Sequence, residues 1–319
     1  MLQAQIVKWF KSEMDNIYEA IIIGAGPAGL TAGLYTSRAK LKTLIIEKEV
    51  IGGELMNRDM IENYPGYPDG ILGPQLGSGM TKQVVHYGTR IQLDEVKEIE
   101  TGSRDKVVRT SRGEYRGKAI IIAGGAHPKK LGIPGEQEFA DRGVFYCATC
   151  DGPRFTDKVV AVAGGGDSGI TEALFLARMV ARVIIIELLP RLTAAKTLQE
   201  RVLANPRIET RCGVRIEAIR GDDQVRTLAL LDIQTGQRST LAADGILVHA
   251  GLDPNTDYLR ESLSLNGKGQ ILVNGEMATE KAGIFAAGDV RHNSPMQIST
   301  AVGDGATAAL SLARYLENS

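Results

Sequence analysis

The most reactive arrangement in the chain is Cys147-Ala148-Thr149-Cys150-Asp151-Gly152. Two residues between cysteines suit a disulfide that opens and closes, and one thiol of such a pair often has a lowered pKa. Asp151 follows at once and is placed to carry a proton to or from a thiolate. A single CxxC lacks the further ligands that a metal site needs. The four histidines, His86, His127, His249 and His292, have no metal-ligand spacing. The third cysteine, Cys212, stands in a strand-like run without a partner and is expected in the core.

A second chemistry is written in glycine, which supplies 37 of 319 residues against an average near 7%. Gly24-Ala25-Gly26-Pro27-Ala28-Gly29 lies between an apolar strand and a helix. In such a loop the first glycine permits a tight turn and the second lets backbone amides reach a pyrophosphate. The third allows close packing of helix on strand. Glu47 closes the next strand, where a carboxylate accepts from ribose hydroxyls. The pattern recurs as Gly164-Gly165-Gly166-Asp167-Ser168-Gly169, with Glu187 closing the following strand. Each acid stands 23 positions after the first glycine of its motif. Two dinucleotide folds in one chain point to one flavin and one nicotinamide; a second fold kept only as scaffold is the other reading. Gly166, Asp167, Ser168 and Glu187 are the candidate nicotinamide-nucleotide residues.

These motifs need elements to hold them. YEAIIIGAGPAGLTAGLYTSRAK, then LKTLIIEK, reads as strand, turn, helix, strand, and so does DKVVAVAGGGDSGITEALFLARMVA followed by RVIIIELL. A third glycine segment, AGIFAAGDV, comes far downstream, and residues 205–250 read as strands separated by turns. The fold class expected is α/β: two Rossmann-like, three-layer ββα dinucleotide-binding domains, the second inserted into the first. The expected division is 1–127 plus 252–319 for the outer, discontinuous domain and 128–251 for the inner domain carrying the CxxC. Leu2, Ile6, Trp9 and Phe10 recur at helical spacing and predict a short amphipathic helix.

Composition removes several classes. The net charge of −1 argues against a nucleic-acid partner. No apolar run approaches the roughly 18 residues of a membrane span. Three cysteines make no disulfide framework, and their sparse use fits a reducing, cytoplasmic setting.

Over about residues 17–315 the chain resembles the low-molecular-weight thioredoxin reductases, which are FAD-dependent pyridine nucleotide-disulfide oxidoreductases. The resemblance is carried by GAGPAG, GGEL at 52–55, ENYPG at 62–66, CATCDG, GGGDSG, PNT at 254–256, and AAGDV followed by MQIS. It implies FAD on the outer domain, with Gly24, Gly26, Pro27 and Ala28 at the pyrophosphate and Glu47 at the adenosine ribose. Gly53, Leu55 and Asn63 would line the flavin. Gly288 and Asp289 would form the flavin-side turn, and Gln297 with Ile298 would meet the ring edge. Cys150 would face the flavin, Cys147 would attack the partner disulfide, and Asp151 would serve as acid and base. The resemblance also implies a thioredoxin-like substrate, a homodimer, and rotation of the inner domain about hinges near Gly124–Pro128 and Gly251–Pro254.

Departures from the family pattern bear on the electron donor. The family's NADPH site has a His-Arg-Arg run at the strand end and another arginine shortly after. Here the run is Glu187-Leu188-Leu189-Pro190-Arg191-Leu192-Thr193. A unit charge pair at about 5 Å, with an effective dielectric near 20, is worth roughly 3 kcal/mol. Replacing attraction by repulsion therefore costs NADPH on the order of 100-fold in affinity. Three donors stay open: NADH, a non-nicotinamide donor such as ferredoxin or a deazaflavin, and residual NADPH use through Arg191 or Lys196. Glu54, Gly124 and Met296 stand where the family usually has glutamine, threonine and arginine. An oxygen-using dithiol oxidase and a non-catalytic redox or nucleotide sensor are the alternatives on the same fold. CATCDG favours the reductase.

Overall fold

The computed structural model describes residues 17–102 and 105–318. The helix expected around Leu2, Ile6, Trp9 and Phe10 lies outside the described residues. The chain divides into two units, residues 1–127 with 254–319, and residues 128–253. Each unit is built on its own sheet, as two Rossmann-like domains with the second inserted into the first.

In the first unit, β1 (Tyr18–Ile23) pairs in parallel with β2 (Thr43–Glu47) on one side and β3 (Glu114–Ile122) on the other. Arg90–Leu93 extends the sheet beyond β2, and Ile284–Ala286 returns from far along the sequence to pair in parallel with β3. Two antiparallel strands, Lys106–Thr110 and Val96–Glu100, complete seven. Runs such as Ile21-Ile22-Ile23 and Leu44-Ile45-Ile46 are apolar without alternation because both faces of the sheet are covered. Ala20, Ile22, Ile45, Ala119 and Ile121 pack beneath α1 (Pro27–Arg38) and the last helix, Ile298–Glu317. Ile21, Ile23, Leu44, Ile46, Ile120 and Ile122 face the opposite layer with Ile99, Val108 and Leu259.

The second unit repeats the scheme with a five-stranded, all-parallel sheet. Its order is Val144–Phe145, β7 (Gly245–Val248), β4 (Val159–Ala163), β5 (Arg182–Glu187), β6 (Ile208–Cys212). Alternation along β4 and β5 decides the layers. Val160, Val162, Val183 and Ile185 pack on the helices, chiefly α3 (Asp167–Leu176). Ala161, Ala163, Ile184 and Ile186 pack on a three-stranded antiparallel sheet formed by Val214–Gly221, Val225–Asp232 and Arg238–Ala242. The CxxC opens the short helix α2 (Ala148–Asp151), which follows directly on the Val144–Phe145 strand.

Cys212 departs from the core placement expected of it. It ends edge strand β6 half-buried, in register with Glu187 of β5. An edge position leaves one flank of the residue without a neighbouring strand. No helix among the described residues is long and apolar enough to cross a membrane.

Candidate functional site

The first glycine loop turns between β1 and α1. Gly24 adopts φ +103°, and a Cβ there would collide with the Ala123 carbonyl oxygen at the end of β3. A Cβ on Gly29 would strike the Gly24 carbonyl, which is why α1 can lie so close to the strand. Gly26, the N-cap, faces open space: nothing lies within 4 Å of where its Cβ would stand. Pro27 starts the helix with φ already set and no amide lost to the ladder. The open amides at this helix start, free of side chains, are what a dinucleotide pyrophosphate requires. Glu47 leaves β2 and turns both carboxylate oxygens onto backbone, Oε2 accepting from Ala25 N at 2.7 Å and Oε1 from Glu49 N at 2.9 Å.

Around this loop the fold gathers residues from both ends of the sequence. Gly53, at φ +57°, would bring a Cβ to 3.0 Å from Gly26 Cα. Gly288, at φ +81°, sits against Ala28, and its amide donates to Asp304 Oδ2 at 3.1 Å. Arg291 grips the same carboxylate in two bonds, Nε to Oδ2 at 2.7 Å and Nη2 to Oδ1 at 2.8 Å. Asn63 Nδ2 donates to Gln297 Oε1 at 3.0 Å across 234 residues of sequence. Leu55 and Ile298 share a small apolar cluster. Burial pushes the Asp289 carboxyl above the ordinary carboxylate range, opposed by the Ser294 hydroxyl, which donates to its Oδ1.

Three residues at family-variant positions differ in setting. Glu54 is exposed. Met296 holds φ +56°, a left-handed conformation uncommon outside glycine. Gly124 faces Asn255 and the fully buried Tyr258 hydroxyl, which has no hydrogen-bond partner among the described residues.

The second glycine loop reproduces the first bond for bond. Gly164 adopts φ +121°, and a Cβ there would meet the His249 carbonyl oxygen; a Cβ on Gly169 would meet the Gly164 carbonyl. Glu187 Oε2 accepts from Gly165 N at 2.5 Å and Oε1 from Leu189 N at 2.8 Å. The segment after β5 folds back over the loop. Thr193 N donates to Gly165 O at 3.0 Å, Ala195 N to Asp167 Oδ1 at 2.7 Å, and Leu192 lies over Gly165. Ser168 is exposed, as are Leu188, Leu189 and Arg191.

The redox motif is held from three sides. Cys147 and Cys150 form a disulfide with Cα atoms 5.4 Å apart. Cys147 is the N-cap of α2; its sulfur accepts from Cys150 N at 3.2 Å and lies 3.2 Å from the Thr149 hydroxyl oxygen. Ahead of it, the Tyr146 hydroxyl donates to Glu136 Oε1 at 2.9 Å, and Glu136 also accepts from the amides of Leu131 and Gly132. Behind it, Asp151 Oδ1 accepts from Arg154 Nη1 at 3.2 Å. From below, Glu172 Oε2 accepts from Ala148 N at 2.9 Å. Neither motif nor spacing marks Glu136, Glu172, Arg154, Arg291 or Asp304 as functional. Glu172 had a signal: it shares the core-facing spacing of α3 with Gly169, Ala173 and Leu176. Among the described residues no cluster of His, Cys, Asp and Glu could hold a metal.

A family profile for pyridine nucleotide-disulphide oxidoreductases matches residues 18–305. The chain belongs to that family. Thioredoxin reductase of Treponema pallidum is 44% identical over 306 residues, covering 95% of this chain and 99% of the relative. The Bacillus subtilis thioredoxin reductase is 41% identical over 304 residues, covering 95% and 96%. The crystal structure of Lactococcus lactis thioredoxin reductase superposes with a TM-score of 0.93 at 39% identity, covering 95% of this chain and all of that one. Within the family the chain falls among the low-molecular-weight thioredoxin reductases, flavoprotein disulfide oxidoreductases that use FAD.

Proposed function

We propose that the protein is a thioredoxin reductase that uses NADH or a non-nicotinamide donor such as ferredoxin or a deazaflavin in preference to NADPH. The observation carrying the disulfide chemistry is the Cys147–Cys150 bond at the start of α2. FAD, when bound, supplies the two-electron step that opens this disulfide. Gly24, Gly26, Pro27 and Ala28 hold the pyrophosphate, and Glu47 the ribose. Gly53, Leu55, Asn63, Gly288, Asp289, Gln297 and Ile298 line the flavin side. Supporting that fit are the unobstructed face of Gly26 and the convergence of Asn63 with Gln297 and of Leu55 with Ile298.

Once reduced, the pair attacks a disulfide on a thioredoxin-like protein. The Cys150 amide and the Thr149 hydroxyl favour negative charge on the Cys147 sulfur, which makes Cys147 the attacking thiolate. Its attack gives a mixed disulfide and releases one partner sulfur, which takes a proton from Asp151. Cys150 then displaces the second partner sulfur, its thiol proton passing to that sulfur, so the partner leaves as a dithiol and the Cys147–Cys150 disulfide re-forms. On the family reading, Cys150 would be the sulfur that takes part in the electron transfer FAD supplies when bound. A homodimer in the cytoplasm is part of the same family reading.

The donor preference rests on Glu187. Its two bonds match those of Glu47, so the second loop is furnished like an adenosine site whose ribose carries free hydroxyls. Beside it, where a 2′-phosphate would need cations, stand the exposed side chains of Leu188 and Leu189. Anaerobic titration of the yellow protein with NADH, NADPH and reduced ferredoxin, followed by flavin absorbance, tests the proposal. Bleaching by NADH or ferredoxin at concentrations where NADPH is inert is expected; rapid bleaching by micromolar NADPH overturns it. In the same protein, Cys147→Ser is expected to abolish thioredoxin turnover while retaining flavin. Retained turnover would refute the assignment of the nucleophile.

A further inference from the structure

The side chains of Glu172 and His249 are both buried beside the redox helix. Glu172, on α3, is 8% exposed, and its Oε2 accepts from the amide of Ala148, the residue between Cys147 and Thr149. His249 follows β7, and its Nε2 lies 3.1 Å from the same carboxylate oxygen. That nitrogen is shielded from solvent and has no well-directed hydrogen bond among the described residues. The two side chains are therefore in close polar contact without a directed hydrogen bond. The backbone of His249 also forms the wall against which Gly164 turns, and its amide donates to Ala163 O at 2.8 Å. One histidine thus touches the second glycine loop through its main chain and the support of the CxxC through its side chain.

We propose that Glu172 and His249 are positioning residues that set the orientation and the potential of the Cys147–Cys150 couple. This rests on the reading of that disulfide as the redox centre. Opening the disulfide takes two electrons and one proton and leaves one thiol and one thiolate. A buried carboxylate on the amide next to Cys147 disfavours the thiolate, and His249, whose Nε2 lies 3.1 Å from the same oxygen, offsets that field. Removing the two partners singly therefore moves the couple in opposite directions, which loosened packing alone would not do.

The test uses the FAD-loaded, full-length protein and the equilibrium of its disulfide with a glutathione buffer at fixed pH. Glu172→Gln keeps an acceptor for Ala148 N but loses the charge. It is expected to shift the couple toward the dithiol about tenfold, or about 30 mV. His249→Leu is expected to shift it several-fold toward the disulfide, and His249→Gln, which retains an N–H donor, to return toward wild type. In turnover, kcat should fall in Glu172→Gln and His249→Leu while KM for thioredoxin stays within about twofold. Shifts of the same sign, or equilibria within twofold of wild type in both, overturn the proposal. A wild-type disulfide that the flavin does not reduce would instead defeat the underlying reading, a separate and recognisable result.

Discussion

The two glycine loops have the same skeleton and different exteriors. Both place the first glycine at a left-handed φ against a carbonyl of a neighbouring strand end, and both press the third glycine onto the first. In both, an acid at the end of the next strand caps two backbone amides. Beyond that they diverge. The first loop is flanked by Gly52 and Gly53, and Gly52 N donates to Ala25 O at 2.9 Å. The second receives the equivalent bond from Thr193, with Leu192 laid over Gly165 and the Asp167 carboxylate already engaged by Ala195. On the proposed reading, the shared backbone would cradle a dinucleotide in each loop and the residues after the acid would decide which one.

The largest expected effect comes from breaking the shared skeleton. Gly29→Val and Gly169→Val each force a side chain into a carbonyl oxygen, with an expected cost of about 3 kcal/mol or more. The first should yield protein that does not retain flavin. The second should stay yellow but lose donor-dependent reduction of its disulfide. Absorbance at the flavin band and thermal melts distinguish them, and equal flavin loss in both would show that the loops do not act separately.

A smaller change addresses the exteriors. Leu188→Arg with Leu189→Arg supplies two cations beside Glu187 without touching its bonds to Gly165 and Leu189 backbone. NADPH affinity should rise on the order of 100-fold and NADH affinity change little. Unchanged KM for NADPH would place the donor's phosphate elsewhere.

The smallest effect reads Glu187 itself. Burial, and then the Glu187 charge, push the Cys212 thiol above its ordinary range. A raised thiol pKa means less thiolate at any pH below it. Cys212 should therefore react with iodoacetamide at pH 8.5 several-fold more slowly than free cysteine, and Glu187→Gln should speed it. Alkylation at the same rate in both proteins would show that Glu187 carries no charge there.

What the sequence made legible follows the range of the interactions. Gly24 to Glu47 and Gly164 to Glu187 are local units whose spacing is imposed by strand, turn and helix, so their positions could be read directly. The CxxC was legible for the same reason. Asn63 with Gln297, and Leu55 with Ile298, depended on family resemblance, because sheet pairing brings those residues together from opposite ends of the chain. Glu136, Glu172 and Asp304 left weak signals. Each is a buried carboxylate that accepts from backbone amides, Glu136 from nearby Leu131 and Gly132 and the other two from farther along the chain, and a sequence does not show which amides a fold leaves without partners. The misplacement of Cys212 has a related origin. Its strand resembles an internal one, and only the strand order reveals β6 as the edge.

The carbonyl oxygens that hem in Gly24, Gly29, Gly164 and Gly169 also constrain how such a protein can drift. Even a single methyl group is barred at these four sites, so the loop backbones are frozen against substitution. The span from Leu188 to Arg191, by contrast, is solvent-facing. Changes there leave the scaffold intact, so on the proposed reading nucleotide choice is the most interchangeable property of the domain. An engineer could exchange that short span for one reading a different nucleotide and leave the rest of the domain as it is.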